Sequence, residues 1–496
     1  MMQQEHAQVS VPRRILGTLL NALSAGVVPR VGAPYIAIGR TEETAALRRD
    51  LDVVEDGGAA MRFLIGPYGS GKSFLLQLMR GVAQDRGFVT ADADLSPERK
   101  ICGTKGQGIA TYRELIANLA TKSSPLGGAL PGMIGKWFSA LQTEIASGGI
   151  SPETPAFDRA FDEKIFAVCG TLESEIGGFD FAQVLQQYYR AYMAGDEEKK
   201  RDCMRWLRGE YPTRTEARAA LGVGSIIDDG NWYEHLKLMG VFFRRIGYAG
   251  FLVILDECVN LYKISNRVSR ENNYEKLLSM FNDALQGKAQ GLMMLLGGTP
   301  QFLEDRRRGL FSYEALRSRL CEGQFDRGEY QNFLGPVIRL RRLSDTELLA
   351  LTQRLCVLHG QYYGWQVRAS EEDKVGFVSY CLSRAGADTM ITPREIIRDW
   401  CSVLNILMQN PQATVQSILQ SGNTVRLTHA QPGEDAWNDD VSNADAGQAV
   451  MQNIGKAGTV NHGGVKDTSM DAENSKHAQD RPNVPAFDLT PDDIEI

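Results

Sequence analysis

Eight consecutive residues, Gly66, Pro67, Tyr68, Gly69, Ser70, Gly71, Lys72 and Ser73, match G-x-x-x-x-G-K-[ST] at every fixed position. In this pattern glycines let backbone N–H groups wrap an anion. The lysine reaches the β and γ phosphates of a nucleotide, and the hydroxyl binds Mg²⁺. The chemistry needs the loop between a strand and a helix, so that the helix N-terminus faces the phosphates. An apolar run at 62–65 precedes the loop, and Phe74, Leu75, Leu78 and Met79 follow it at helical spacing. The sequence thus predicts strand, loop and a helix over 73–85. Phe74, directly after the motif, belongs with the nucleotide-binding residues.

A phosphate site also needs an acid for magnesium and a base for water. Asp256 and Glu257 end the run GFLVIL at 250–255. Such a near-continuous apolar run is expected of a parallel strand buried on both faces. Asp256 would hold Mg²⁺ through water, and Glu257 would polarise the attacking water; an acidic helix cap is the plainer reading. A second run at 291–296, GLMMLL, leads into Gly-Gly-Thr-Pro. Thr299 there, on a strand between the two motifs, is a candidate γ-phosphate sensor, against a simple turn. Residues 306–319 hold five arginines. Arg317 and Arg319, or Arg306 to Arg308, are candidates for an arginine offered to a neighbour's γ-phosphate. A solvated basic face or a nucleic-acid contact is the alternative. Arg394 follows Pro393 at the start of a late helix, where it would reach the nucleotide from a lid or serve as a surface ion-pair residue.

The elements around these residues alternate strand and helix, which argues for an α/β sheet. A strand is expected at 88–93, a helix at 274–285 and a strand at 336–340. Thr41 is a plausible N-cap for a helix from Glu42. Residues 106–248 read as mostly helical, at 107–122, 155–174, 180–194 and 214–221. The segment 15–28 follows two arginines and faintly resembles a leader; the plainer reading is an amphipathic helix packed on the core. Residues 344–408 are again helical. The expected layout is an N-terminal core part (1–105), a helical insertion (106–248), a C-terminal core part (249–340), a helical lid (341–410) and an acidic tail (411–496). Within the tail, 425–484 read as disordered, and residues 487–496, from Phe487 to Ile496 (FDLTPDDIEI), restore hydrophobicity among acids.

With 496 residues and 43% hydrophobic composition, several domains can be buried. The net charge of −7 is uneven. Thirteen acidic and five basic residues give −8 from 421 onward, which leaves +1 for the rest. The overall pI therefore does not exclude nucleic-acid binding by the folded part. Eight scattered cysteines without a CxxC pair fit free thiols in a reducing cytoplasm. No apolar run of membrane-spanning length is present. The six histidines are isolated, and no N-K-x-D guanine motif or Ser-His-Asp set occurs.

Several longer segments carry a family resemblance: SAGVVPRVGAPYIAIGRTEE, FLIGPYGSGKSFLLQL, DADLSPERK, ATYRELIANLATK, AGFLVILDECVNLYK, GGTPQFLEDRRRGLFSYEALRSRL and ITPREIIRDWCSVLN. In these the chain resembles the BREX-type ATP-binding proteins (BrxC/BrxD-like), which are grouped with Orc-like AAA+ ATPases. The resemblance runs from about Arg13 to Asn410. It implies an AAA+ P-loop core with a helical lid, and ATP and Mg²⁺ as ligands. It further implies that Gly39 and Arg40 help seat the adenine, that Thr299 and Arg394 are the two sensors, and that the finger lies around 317–319. Thr replaces the more usual Asn at the first sensor. It also implies a role in bacterial anti-phage defence, in BREX or Shango-type systems, with homo-oligomers, DNA and partners such as a helicase. Two functions follow as expectations. One is an ATPase that drives a defence complex on DNA. The other is a nucleotide-gated adaptor whose tail docks a partner through 487–496.

Overall fold

The computed structural model describes residues 11–152, 154–170, 177–321, 332–383 and 391–421. The expectations for 425–484 and 487–496 lie outside these residues. Five parallel strands form one sheet: β1 (Ala60–Ile65), β2 (Val89–Asp94), β3 (Phe251–Asp256), β4 (Leu292–Gly298) and β5 (Val337–Arg339). Their order is β2-β3-β4-β1-β5. The strand that leads into Thr299 thus runs between the strand before the 66–73 loop and the strand of the acid pair. Register places Ile65 opposite Gly298, and Asp94 opposite Asp256. The carboxyl ends of β1 to β4 therefore share one edge.

Side chains alternate across the sheet, as the two-residue period of a strand requires. Phe63, Val89, Val253 and Met294 enter one apolar cluster, while Leu64, Leu252, Ile254 and Met293 enter the other. The second cluster is closed by α2 (Thr41–Glu55) and α3 (Lys72–Asp85). On the opposite face lie the helices between β2 and β3: α4 (Gln107–Ala117), α5 (Leu130–Ser147), α6 (Pro155–Gly170), α7 (Gly178–Ala194), α8 (Glu197–Leu207), α9 (Arg214–Leu221) and α10 (Trp232–Arg245). Their apolar faces are continuous with the sheet core. Stacked Phe161 and Tyr189, 3.5 Å between centroids, and edge-on Trp137 and Phe242 fill their interior.

The chain continues through α11 (Val259–Tyr262) and α12 (Arg267–Leu285), and after β4 through α13 (Pro300–Glu304) and α14 (Glu314–Leu320). Beyond β5 come α15 (Asp345–Tyr363), α16 (Glu371–Leu382), α17 (Pro393–Gln409) and α18 (Val415–Ser421). Reciprocal capping boxes at Ser344, Ser370 and Thr392 start α15, α16 and α17. Trp400 is fully buried among them, lies tilted against Phe377 with 4.6 Å between ring centres, and donates its indole N–H to Thr352 O. The helix at the chain's start, α1 (Arg13–Ser24), packs Leu16, Leu19, Leu20 and Leu23 inward and lies against α15 and α17.

Two local expectations need correction. Thr41 is the first residue of α2 and Arg40 precedes it, because Arg40 O already accepts the Thr44 N–H. The helix expected over 107–122 stops at Ala117, because Ala120 leaves helical pairing to bridge Thr90 on the free side of β2.

Candidate nucleotide site

Residues 66–71 connect β1 to α3 at the carboxyl edge of the sheet. Gly69 and Gly71 have φ of 76° and 85°, a conformation glycine adopts without a Cβ penalty. Gly71 is the residue before α3, so the first amides of that helix point out of the loop. The N–H groups of Gly71, Lys72, Ser73 and Phe74 have no acceptor among the described residues. Gly66 anchors the loop by donating its N–H to Gly298 O, 3.1 Å away at the end of β4. Pro67 and Lys72 complete the turn: Lys72 Nζ donates to Gly66 O at 2.8 Å and to Pro67 O at 3.0 Å. It also stands 5.5 Å from the ring centre of Tyr68, which is largely exposed. Burial lowers the Lys72 pKa, against the opposing pull of Asp256 and Glu257.

Ser73 Oγ donates to Asp256 Oδ2 at 2.6 Å. The other oxygen of Asp256 accepts the Glu257 N–H at 2.8 Å. Glu257 has φ 55° and is the one non-glycine with positive φ among the described residues. Such a backbone costs about 1–2 kcal/mol and persists only where neighbours hold it. Here the Asp256 bond holds it from one side, and the bond from Cys258 N–H to Gly297 O (2.9 Å) holds it from the other. Although Glu257 is exposed, desolvation of its carboxyl by the surrounding protein and then the charges of Asp256 and Asp94 raise its pKa, and Lys72 and Lys263 oppose them. The pKa of Asp94 rises likewise, by burial and then by Asp256. Asp94 belongs to the acid edge although nothing in its local pattern marks it; its signal is the β2–β3 register, which the sequence does not display.

Thr299 is buried at the end of β4. Its hydroxyl accepts the Phe302 N–H at 3.4 Å and so caps α13, with Pro300 at the first helical position. Arg317 pairs with Glu314 at 2.7 Å, and Arg319 donates to Asn282 Oδ1 and Ala315 O. Arg308 lies over Tyr262, 5.2 Å from the ring centre. None of these described contacts reaches the phosphate loop within the chain. Arg394 is exposed in the first turn of α17, its stem beside Gly26. The residue that meets the loop from this helix is Thr392: a Cβ added at Gly69 would lie 2.6 Å from its methyl carbon.

Gly39 has φ 72°, and the Glu347 carboxylate fills the place of a side chain there. Arg40 is 4% exposed. Its Nη2 donates to Ser70 O and to Arg341 O, both at 2.7 Å, and its Nη1 pairs with Glu43 at 3.2 Å. Arg341 in turn pairs with Glu347 through both guanidinium nitrogens at 2.6 Å.

The parallel sheet, the loop between β1 and α3 and the acids at the end of β3 are compatible with a P-loop nucleotide-binding core. The chain belongs to the family of BREX system ATP-binding proteins BrxC/D, whose model matches residues 11–423. Membership makes it an ATP-binding component of BREX defence. No curated protein matches the chain. Among the described residues no helix is long and apolar enough to cross a membrane.

Proposed function

We propose that the protein hydrolyses ATP in an AAA+-type site and drives a defence complex that acts with DNA and with partner proteins such as a helicase. The observation that carries this reading is the 2.6 Å hydrogen bond from Ser73 to Asp256, with Glu257 directly beside it. That bond joins the loop to the acid strand across the intervening β4. A hydroxyl and a carboxylate in contact are hard oxygen donors of the kind Mg²⁺ takes. Bound by Ser73 and Asp256, the ion would neutralise charge on the phosphate oxygens.

The chain's own groups divide the remaining work. The free N–H groups of Gly71 to Phe74 and the Lys72 ammonium bind the β and γ phosphates. Glu257 accepts the proton of the attacking water on its carboxylate, and its raised pKa makes it a better proton acceptor than an ordinary glutamate. Thr299 orients the γ-phosphate side of the site, and Arg394 approaches from α17. Arg317 or Arg319, on the surface of α14, serves a neighbouring copy, which makes the active form a homo-oligomer.

A second reading, a nucleotide-gated adaptor with little turnover, is favoured by Thr at 299, where AAA+ proteins more usually carry Asn, and by the acidic tail that ends in residues 487–496. The test is ATP turnover by the full chain with and without duplex DNA, beside Lys72→Ala and Glu257→Gln. Turnover lost in both variants supports the ATPase, and stimulation by DNA supports a DNA-directed motor. ATP binding that needs Lys72, with no turnover in either condition, selects the adaptor. No ATP binding at all would overturn both.

A further inference from the structure

We infer that Arg40 is a positioning residue for the phosphate loop, and that it ties the loop's amide geometry to the segment leading into α15. The inference rests on the nucleotide-site reading above. Its ground is the two-carbonyl clamp of Arg40 Nη2. One –NH₂ group holds Ser70 O and Arg341 O, each at 2.7 Å, from positions 30 and 301 residues beyond Arg40 in sequence. Because a trans peptide is planar, the carbonyl of Ser70 and the N–H of Gly71 point in opposite directions. Drawing the carbonyl toward Arg40 therefore aims the Gly71 N–H away from the protein interior. That N–H has no acceptor among the described residues, and it opens the row of free amides at the start of α3. Arg40 itself is enclosed, with Glu43 on one side, and its donors to Ser70 and Arg341 point at backbone. It therefore shapes the phosphate-binding amides without touching a base.

The second half of the clamp gives the loop a remote dependence. The Arg341 side chain is held by Glu347, which also closes the capping box of α15 and lies against Gly39. Displacing the start of α15 shifts Arg341 O, then Arg40, then the Ser70–Gly71 peptide.

The experiment measures affinity for ATP, GTP and inorganic tripolyphosphate by competition against a fluorescent ATP analogue. It uses wild type, Arg40→Lys, Arg40→Met and Glu347→Gln, with Lys72→Ala as the site control. Arg40→Lys keeps the charge and one terminal nitrogen, but loses the Nη1 bond to Glu43 and the rigid plane that fixes Nη2 between the two carbonyls. Losing a charge-assisted hydrogen bond in a buried site corresponds to about ten- to hundredfold in affinity. The expected result is a loss of that size for Arg40→Met and a smaller one for Arg40→Lys. The factor should be equal for all three ligands, so that the ATP-to-GTP ratio stays at its wild-type value. Glu347→Gln should weaken all three by a few-fold, and it decides the question alone if the Arg40 variants do not fold. A loss confined to ATP, with tripolyphosphate unchanged, would make Arg40 a base contact and overturn the inference. Wild-type affinity in Glu347→Gln would remove the link to α15. If Lys72→Ala also left ATP affinity intact, the site reading itself would fail, a result separable from either of these.

Discussion

Gly297→Ala tests how the acid pair is held. A Cβ at this buried position in β4 would sit on the Asp256 carboxylate, with Asp256 Cγ and Leu76 Cδ1 both 3.1 Å away. Leu76 can yield by a few tenths of an ångström, but the carboxylate has to rotate. Rotation breaks its bonds from Ser73 Oγ and from the Glu257 N–H. Asp256 is only partly buried, so water replaces some of each bond, and the low end of the range for charged acceptors applies, about 1.5 kcal/mol apiece. Glu257, released from its brace, recovers about 1 kcal/mol by leaving the left-handed region. The net loss is about 2 kcal/mol. In an Asp256→Ala background the obstructing carboxylate is absent, so the same Gly297→Ala change costs little. The assay is a double-mutant cycle by urea unfolding, run beside ATP titrations with and without Mg²⁺. The coupling energy should be about 2 kcal/mol, and Gly297→Ala alone should abolish the Mg²⁺ dependence of ATP affinity. Additive losses with Mg²⁺ dependence intact would refute the claim that Gly297 leaves the space in which Asp256 is fixed.

Glu257 supplies a pH prediction with two signs. Because its folded pKa is raised, turnover that uses Glu257 as the proposed base should climb with pH through a value above that of an ordinary glutamate, and the pH–rate profile reads this directly. The same shift means that the folded state binds this proton more tightly than the unfolded chain does. The group therefore costs nothing below its unfolded pKa and carries its full penalty above the folded one, so Glu257→Gln should be more stable than wild type at neutral pH and lose that advantage on acidification. Trp400→Ala, in the fully buried centre of α15 to α17, should cost about 3–5 kcal/mol in urea unfolding, and a loss under 1 kcal/mol would mean these helices do not share one core. Asn273→Leu strands the Ile101 and Cys102 amides that its carbonyl accepts at 3.1 and 2.8 Å. That should cost about 2–5 kcal/mol and speed hydrogen exchange of those two amides.

What was legible in the sequence is what short stretches encode by themselves. The phosphate loop is one contiguous motif, and β3 and β4 announce themselves as apolar runs because both faces of a parallel strand are buried. Helices with one apolar stripe, such as α7 and α9, were readable by period. Those without a clean stripe were not: ten of the fourteen residues of α10 are buried, which erases the contrast that periodicity needs. In α5, Pro131, Gly132 and Gly135 read as breakers, yet Pro131 sits in the first turn, where it is tolerated. The first turn of α8 is Glu-Glu-Lys-Lys, which resembles a charged loop until Asp196 is seen capping it. Within the site, the residues missed are those defined by a partner distant in sequence. Asp94 joins the acids only through strand register, and Thr392 meets Gly69 only because α17 folds back over the loop.

That distinction bears on how the site works. The motif residues bring donors and acids whose chemistry is local, but their orientation comes from backbone carbonyls and caps supplied elsewhere: Gly298 O for Gly66, Arg40 for Ser70, Gly297 O for Cys258, and the Thr392 cap against Gly69. Two of these four supports, Arg40 through Arg341 O and Thr392 directly, involve the chain beyond β5. If Arg40 positions the loop as inferred, a change in the loop's amide geometry alters contacts made by the starts of α15 and α17. On that inference, reciprocity of coupling requires that a partner or neighbour that shifts those helix starts changes nucleotide affinity by the same factor with which nucleotide changes its own binding.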